Sequence, residues 1–143
     1  MKKFTAVSLA LVIILSAAGC GKAKTSDVKI DYGNSSVYTK EDMDDAIKLI
    51  IKTFSTWEGC ELHSISYSSD DRCNTAESIS WMNRLEQAND AQEHFTQCIM
   101  FESSFHSPKN GGAVWNADQE YTKWQWWLAR SDGGQWKLMT MGY

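Results

Sequence analysis

The hydrophobic pattern of this chain changes period once, from helical to extended, and this change limits the fold more than any other feature. From Met43 to Trp57 large apolar residues recur every three or four positions, the spacing of one helix face. From about His94 onward apolar and polar residues alternate, the period of a strand with one buried face. Each pattern needs an apolar cover, so together they predict a helix packed on a sheet.

The first stretch predicts a long amphipathic helix over about Lys40–Trp57. Thr39 is a suitable N-cap, and Gly59 supplies a stop. We expect its apolar stripe to cover the apolar face of the sheet, so that Ile50, Phe54 and Trp126 are nearly fully buried. The other predicted elements are a strand at Leu62–Tyr67, a second short helix from Asn74, a strand from about His94 to His106, and strands at Tyr121–Arg130 and Gln135–Met141.

The fold class that follows is α+β, with two layers: a long N-terminal helix packed on an antiparallel sheet of about four strands, with a second short helix. From Tyr38 to Tyr143 this order of elements resembles the cystatin-like and NTF2-like families. In some NTF2-like relatives a pocket between helix and sheet holds an active site, so the resemblance makes a hollow interface the mark of an enzyme. A filled interface would instead indicate a binding module.

The N-terminal segment has the organisation of a bacterial export signal. Lys2 and Lys3 precede the apolar stretch Ala6–Leu15, which is shorter than the ~20 residues of a membrane-spanning helix. The residues that follow, Ala17 to Cys20, resemble the lipobox of bacterial lipoproteins, although Ala17 stands where leucine is usual. The resemblance implies that residues 1–19 are removed and that Cys20 is lipidated. The alternative is an ordinary secretory signal with a cysteine near its cleavage site.

The remaining chain is predicted to be one tethered domain. Of the 143 residues, removal of 1–19 leaves 124: a flexible tether over 20–37 and a single α+β domain over 38–143. That removal takes away two of 14 basic residues and none of 18 acidic ones, so the net charge changes from −4 to about −6. Nucleic acids bind clustered Lys and Arg, so this charge argues against them as partners.

Three cysteines remain if Cys20 is lipidated, which allows at most one internal disulfide. The sequence predicts a bond between Cys60 and Cys73, with Cys98 free; the alternative is Cys73 with Cys98. None of these spacings is that of a zinc site, and no metal or cofactor is predicted.

Few residues point to catalysis. There is no nucleotide-binding glycine loop, nucleophile elbow or paired-histidine zinc helix. His94 and His106 lie twelve residues apart on one predicted strand, ~40 Å in extended chain, so they should not share a ligand. We interpret His63 as structural, and the acidic runs Asp42–Asp45 and Asp70–Asp71 as solvated turns.

The seven tryptophans suggest a binding surface. Trp115 lies in a glycine-rich loop, and strand alternation places Trp127 on the outer sheet face with Met100 and Met139. We expect these four residues to contact a protein or glycan ligand, or a second copy of the domain in a homodimer. The alternative is that the loop Gly111–Asp118 folds over this face.

Several segments resemble a group of small, functionally uncharacterised lipoproteins of Gram-positive bacteria. The segments are Glu58–His63, Phe105–Pro108, Gly111–Asn116, Trp124–Arg130 and the terminal Gly142-Tyr143. The resemblance implies a fold and a cellular location but no activity. The sequence therefore predicts a non-enzymatic, extracytoplasmic binding module attached to the cell membrane by lipid. The alternatives are an enzyme with an NTF2-like pocket, or a surface inhibitor or immunity-type protein.

Overall fold

The computed structural model describes residues 22–143, which form one five-stranded sheet with helices on both faces. The chain order is β1–α1–β2–α2–α3–β3–β4–β5. The strands are β1 (Lys29–Asp31), β2 (Glu61–Tyr67), β3 (Gln97–His106), β4 (Glu120–Arg130) and β5 (Lys137–Gly142), and the helices are α1 (Lys40–Phe54), α2 (Asp70–Cys73) and α3 (Ala76–Ala88). Residues 1–19 and Cys20 lie outside the described residues, so the predicted signal and lipidation site are not placed.

The sheet is mixed, and in this respect the predicted fold class was wrong. The five strands neighbour one another in chain order, with β1 parallel to β2 and the other pairs antiparallel. Parallel neighbours need a crossover connection, which α1 provides. Strand β1 is three residues long and lies in the segment predicted to be a tether with at most a short extended piece at Val28–Ile30; Ile30 is its one large apolar residue. Such a strand has too few residues to show a period.

Helix α1 is also shorter than predicted. Thr39 is its N-cap, as predicted, and forms a capping box in which the Thr39 hydroxyl accepts from the Asp42 amide (3.1 Å). It ends at Phe54, however, because the Ser55 hydroxyl donates to the carbonyl of Ile51 (2.6 Å) and the chain then turns. Trp57 still packs on the core from this turn, so the apolar spacing continues beyond the helix.

The interface between α1 and the sheet is filled. Ile50, Phe54 and Trp126 are fully buried, as predicted. The indoles of Trp57 and Trp126 stack at 5.2 Å between ring centres, and Phe54 meets the ring of Phe105 edge-on at 5.4 Å. Aromatic side chains therefore occupy the space in which an NTF2-like active site would lie. The resemblance to the cystatin-like and NTF2-like architectures does not hold.

The outer face of the sheet is covered as well, so the fold has three layers rather than the predicted two. Met82 of α3 is fully buried in a second apolar cluster with Phe95, Cys98 and Ala129. Strand alternation places Ala129 and Trp126 on opposite faces of β4, so α3 packs on the face that points away from Trp126. The second predicted helix is thus the cover of the outer face, a role that its short apolar stripe did not reveal.

Candidate functional site

A cleft lies at one side of the domain, between α1 and the hairpin that joins β4 to β5. Its volume of about 520 Å³ is within the range of small-molecule sites. The helix contributes two charged residues and one apolar residue, and the hairpin contributes an arginine, two glycines, a glutamine and a tryptophan. The lining residues are Asp45, Lys48, Leu49, Arg130, Gly133, Gly134, Gln135 and Trp136.

Arg130 is the fixed charged group of this cleft. Its side chain is only 13% exposed. Its Nε donates to Oε1 of Gln97 (2.6 Å), its Nη2 pairs with Oδ1 of Asp42 (2.9 Å), and its guanidinium lies 4.3 Å from the ring centre of Trp136. Three contacts from three elements hold the planar group in one orientation.

At its two glycines the hairpin wall has no side-chain bulk. The Gly134 amide donates to the carbonyl of Ser131 (2.8 Å), which closes the turn predicted at Ser131–Gly134. Gly133 has φ +67°, and a Cβ there would meet no atom within 4 Å. The backbone of the turn is therefore directly exposed to whatever enters the cleft.

Sequence reasoning did not single out this cleft. The turn residues predict the hairpin, but the sequence pattern places Arg130 only at the end of a strand. The signal that could have found it is an arginine and a tryptophan flanking a glycine turn. That signal becomes specific only once the hairpin is known to face α1.

The four residues predicted as a binding surface lie in two separate places. Met100 is fully buried, because α2 and α3 pack on the outer face. Trp127 and Met139 are half-buried beside α3, with Trp127 meeting the ring of Trp81 at 5.1 Å. The part of the chain that covers this face is therefore α3, rather than the loop Gly111–Asp118.

Trp115 belongs to a different cluster. It is half-buried against the core, with its ring 4.9 Å from Trp57 and 5.4 Å from Trp124. The loop that carries it is fastened by the Ser107 hydroxyl, which donates to the carbonyl of Asn116 (2.6 Å). Trp115 therefore extends the core cluster and does not form a common surface with Trp127.

His63 and His106, which were not predicted to lie together, meet at the surface. Nδ1 of His63 lies 2.9 Å from Oε1 of Glu120, and Nδ1 of His106 lies 3.0 Å from Oε2 of the same carboxylate. Nε2 of His106 also lies 2.8 Å from Oδ1 of Asp118. The pairing of β2 with β3 shifts register between Leu62 and Ser64, at His63. An irregularity of this kind cannot be read from alternation alone.

This cluster predicts a raised histidine pKa. Hydrogen bonds to Asp118 first, and to Glu120 second, raise the pKa of His106 above its ordinary value of 6.5. Protonated His106 therefore stabilises the fold below pH 6.5, and this contribution disappears as the pH rises through the raised pKa. We expect Asp118→Asn to lower the pKa of His106, as measured by NMR titration of the imidazole protons.

The matched control is Asp132→Asn, which removes an exposed carboxylate from the β4–β5 turn. It should leave the His106 pKa unchanged. The charged groups around the cluster also include Glu61, 3.7 Å from Nε2 of His63, and Lys24, which pairs with Glu61 at 3.2 Å. A His106 pKa that stays the same in Asp118→Asn would contradict the assignment.

The described residues contain no convergent metal site. Within 22–143, His, Cys, Asp and Glu side chains form no group of three or more that could hold a metal ion. The three aspartates of α1 have separate partners: Asp42 pairs with Arg130, Asp44 with Lys40 (2.8 Å), and Asp45 with Lys48.

The three cysteines of the domain are free thiols in this structure. Cys60 comes directly before β2 and Cys73 follows its other end, and a seven-residue strand spans ~20 Å. A disulfide needs Cα atoms within ~7 Å. Cys73 lies instead beside Cys98. The sulfur of Cys73 accepts a hydrogen bond from the Met100 amide (3.2 Å). The pKa of the Cys98 thiol is raised to about 12, mainly by burial and secondly by the neighbouring Cys73. This fold therefore favours Cys73–Cys98 over Cys60–Cys73 as the disulfide pair, and the formation of a disulfide stays a prediction.

Comparison with family models, with curated proteins and with solved structures finds no match for this chain. Within residues 22–143, the helices are all too short or too polar to cross a membrane.

Proposed function

We propose that this protein is a lipid-anchored, extracytoplasmic binding module without enzymatic activity, and that its ligand enters the cleft between α1 and the β4–β5 hairpin. The observation that carries the proposal is the filled interface between α1 and the sheet. Ile50, Phe54 and Trp126 leave no hollow there for a substrate, and the cleft at the side of the domain combines a fixed charge, an apolar wall and open backbone. Small-molecule sites combine apolar walls with a few placed polar groups, and both kinds of group line this cleft.

The enzyme alternative has weaker support. An acid–base role for His63 or Tyr67 would be favoured by a buried carboxylate facing it. The partner of His63 is Glu120, whose side chain is 41% exposed. The Tyr67 hydroxyl donates to Asp70 (2.6 Å), which is half-exposed and also accepts from Ser35. These hydrogen bonds fasten the segment before α1 to α2, which is a structural role.

The other predicted partners fit this structure less well. An inhibitor needs a protruding loop, whereas the contacts of Ser107 and Trp115 hold the loop between β3 and β4 against the domain. A homodimer through the outer sheet face would have to form over α3. A small ligand in the cleft requires neither a protruding loop nor an open outer sheet face.

Recovery of the ligand distinguishes binding from catalysis. The full chain, purified in detergent from its own membrane, should carry a small molecule visible by native mass spectrometry. After prolonged incubation with protein, the molecule should be recovered at unchanged mass. Steady accumulation of a product of different mass would instead make the protein an enzyme.

The anchor has its own test. We expect wild-type protein in the membrane fraction with a lipid-modified Cys20 at its mature N-terminus, and we expect Cys20→Ala to leave the membrane or to stay unprocessed. Cys60→Ala is the matched control and should remain in the membrane fraction. An unmodified mature N-terminus elsewhere in the chain, found by mass spectrometry, would contradict lipid anchoring.

A further inference from the structure

We infer that the cleft beside the β4–β5 hairpin binds the carboxylate of a small organic molecule with an apolar body, and that Arg130 holds this carboxylate. The inference rests on the proposed binding function and names its ligand class. It depends on the free donors of Arg130, the walls of the cleft and the charges at its rim.

Arg130 has donors to spare. A guanidinium carries five N–H groups, and the contacts with Gln97 and Asp42 engage one on Nε and one on Nη2. Among residues 22–143, Nη1 has no acceptor, and it is not one of the buried unpaired nitrogens. Arg130 lines the cleft, so these hydrogens are the donors it can offer to a ligand that enters there. A planar pair of N–H groups matches the two oxygens of a carboxylate.

The walls suit an apolar body of moderate size. Leu49 of α1 and Trp136 of the hairpin line the cleft, and Leu49 is only partly buried. Gly133 and Gly134 add no side chain to the opposite wall, so a branched aliphatic group can approach the backbone. The volume of about 520 Å³ accommodates a molecule of amino-acid size.

The charges at the rim favour one negative charge over two. Lys48 is exposed and pairs with Asp45 at 2.8 Å, and Arg130 pairs with Asp42. These pairs leave the group of four without net charge, so the two acids oppose a doubly charged phosphate more strongly than a single carboxylate, which needs only the unpaired N–H groups of Arg130.

The test uses N-acetyl-L-leucine, with N-acetyl-L-leucinamide as the neutral control. In full-chain protein purified in detergent, we expect the acid to bind saturably with a Kd of about 1 mM. Its addition should shift the backbone amide signals of Gly133 and Gly134 and the indole signal of Trp136 in an NMR titration. The amide should bind at least ~10-fold more weakly, since it presents one neutral carbonyl oxygen to the remaining Arg130 N–H groups where the acid presents two charged oxygens.

A pair of charge reversals on α1 tests the location without changing Arg130. Lys48 lines the cleft, and Lys52, one turn further along, does not. We expect Lys48→Glu to weaken binding of the acid by about three- to tenfold and Lys52→Glu to have a much smaller effect. Both side chains are exposed, so both variants should fold.

Three results would overturn the inference: equal binding of acid and amide, tighter binding of inorganic phosphate than of the acid, or NMR shifts away from the hairpin. An absence of binding at ~20 mM acid would also overturn it. The proposed binding function would not fall with it, since the native ligand is identified separately by its recovery from the membrane.

Discussion

Phe54→Ala is expected to lower the free energy of unfolding by about 3–5 kcal/mol, one of the two largest effects of a single substitution that this structure predicts. Phe54 is fully buried at the end of α1. The centre of its ring lies 4.9 Å from the ring centre of Trp57 and 5.4 Å from that of Phe105. The variant loses the transfer free energy of the ring, and the rigid aromatic neighbours close the cavity only partly. Urea denaturation followed by circular dichroism measures the effect.

Lys52→Ala, an exposed substitution in the last turn of the same helix, is the matched control. It should change the free energy of unfolding by less than about 0.5 kcal/mol. If Phe54→Ala costs less than about 1 kcal/mol, then α1 does not cover the sheet as described.

Lys137→Met is expected to cost about 3 kcal/mol, because it would leave a charged carboxylate buried without a partner. The carboxylate of Glu86, on α3, is 1% exposed, and both its oxygens accept from Nζ of Lys137 (2.7 and 2.8 Å). This pair joins α3 to β5 and helps to hold the outer layer on the sheet.

Substitutions of Glu86 and of Lys137 should lower the free energy of unfolding by different amounts. Glu86→Gln should cost less than Lys137→Met, since the Lys137 side chain is 46% exposed and water can solvate its ammonium group. The double variant Glu86→Gln/Lys137→Met should be more stable than Lys137→Met alone, because no buried charge then lacks a partner. Urea denaturation of all three variants completes the cycle. Equal losses in the two single variants would contradict the assignment of Glu86 as the buried member.

The candidate site was harder to predict than the core. Burial of Ile50 and Phe54 follows from one helical stripe, a local property of consecutive residues. The cleft depends on Arg130 of β4 meeting Asp42 of α1, 88 positions apart in the chain. The histidine cluster likewise depends on a register shift at His63. Contacts of this kind have no periodic signature.

The outer sheet face shows the same division. Alternation placed Trp127 opposite Trp126 correctly, because successive side chains of a strand point to opposite faces. It did not reveal what covers Trp127. The apolar residues of α3 indicated that this helix needed a partner surface, but two sheet faces were available to it.

The sequence by itself determined the local structure: the start and buried face of α1, the existence of α3, and the alternation of the later strands. Each depends on residues within a few positions of one another, so capping and periodicity are enough. Only the tertiary structure decided that β1 joins the sheet in parallel, that α3 covers the outer face, and which charged groups meet at Arg130 and at Glu120. These depend on residues distant in sequence, whose contacts arise only when the layers pack.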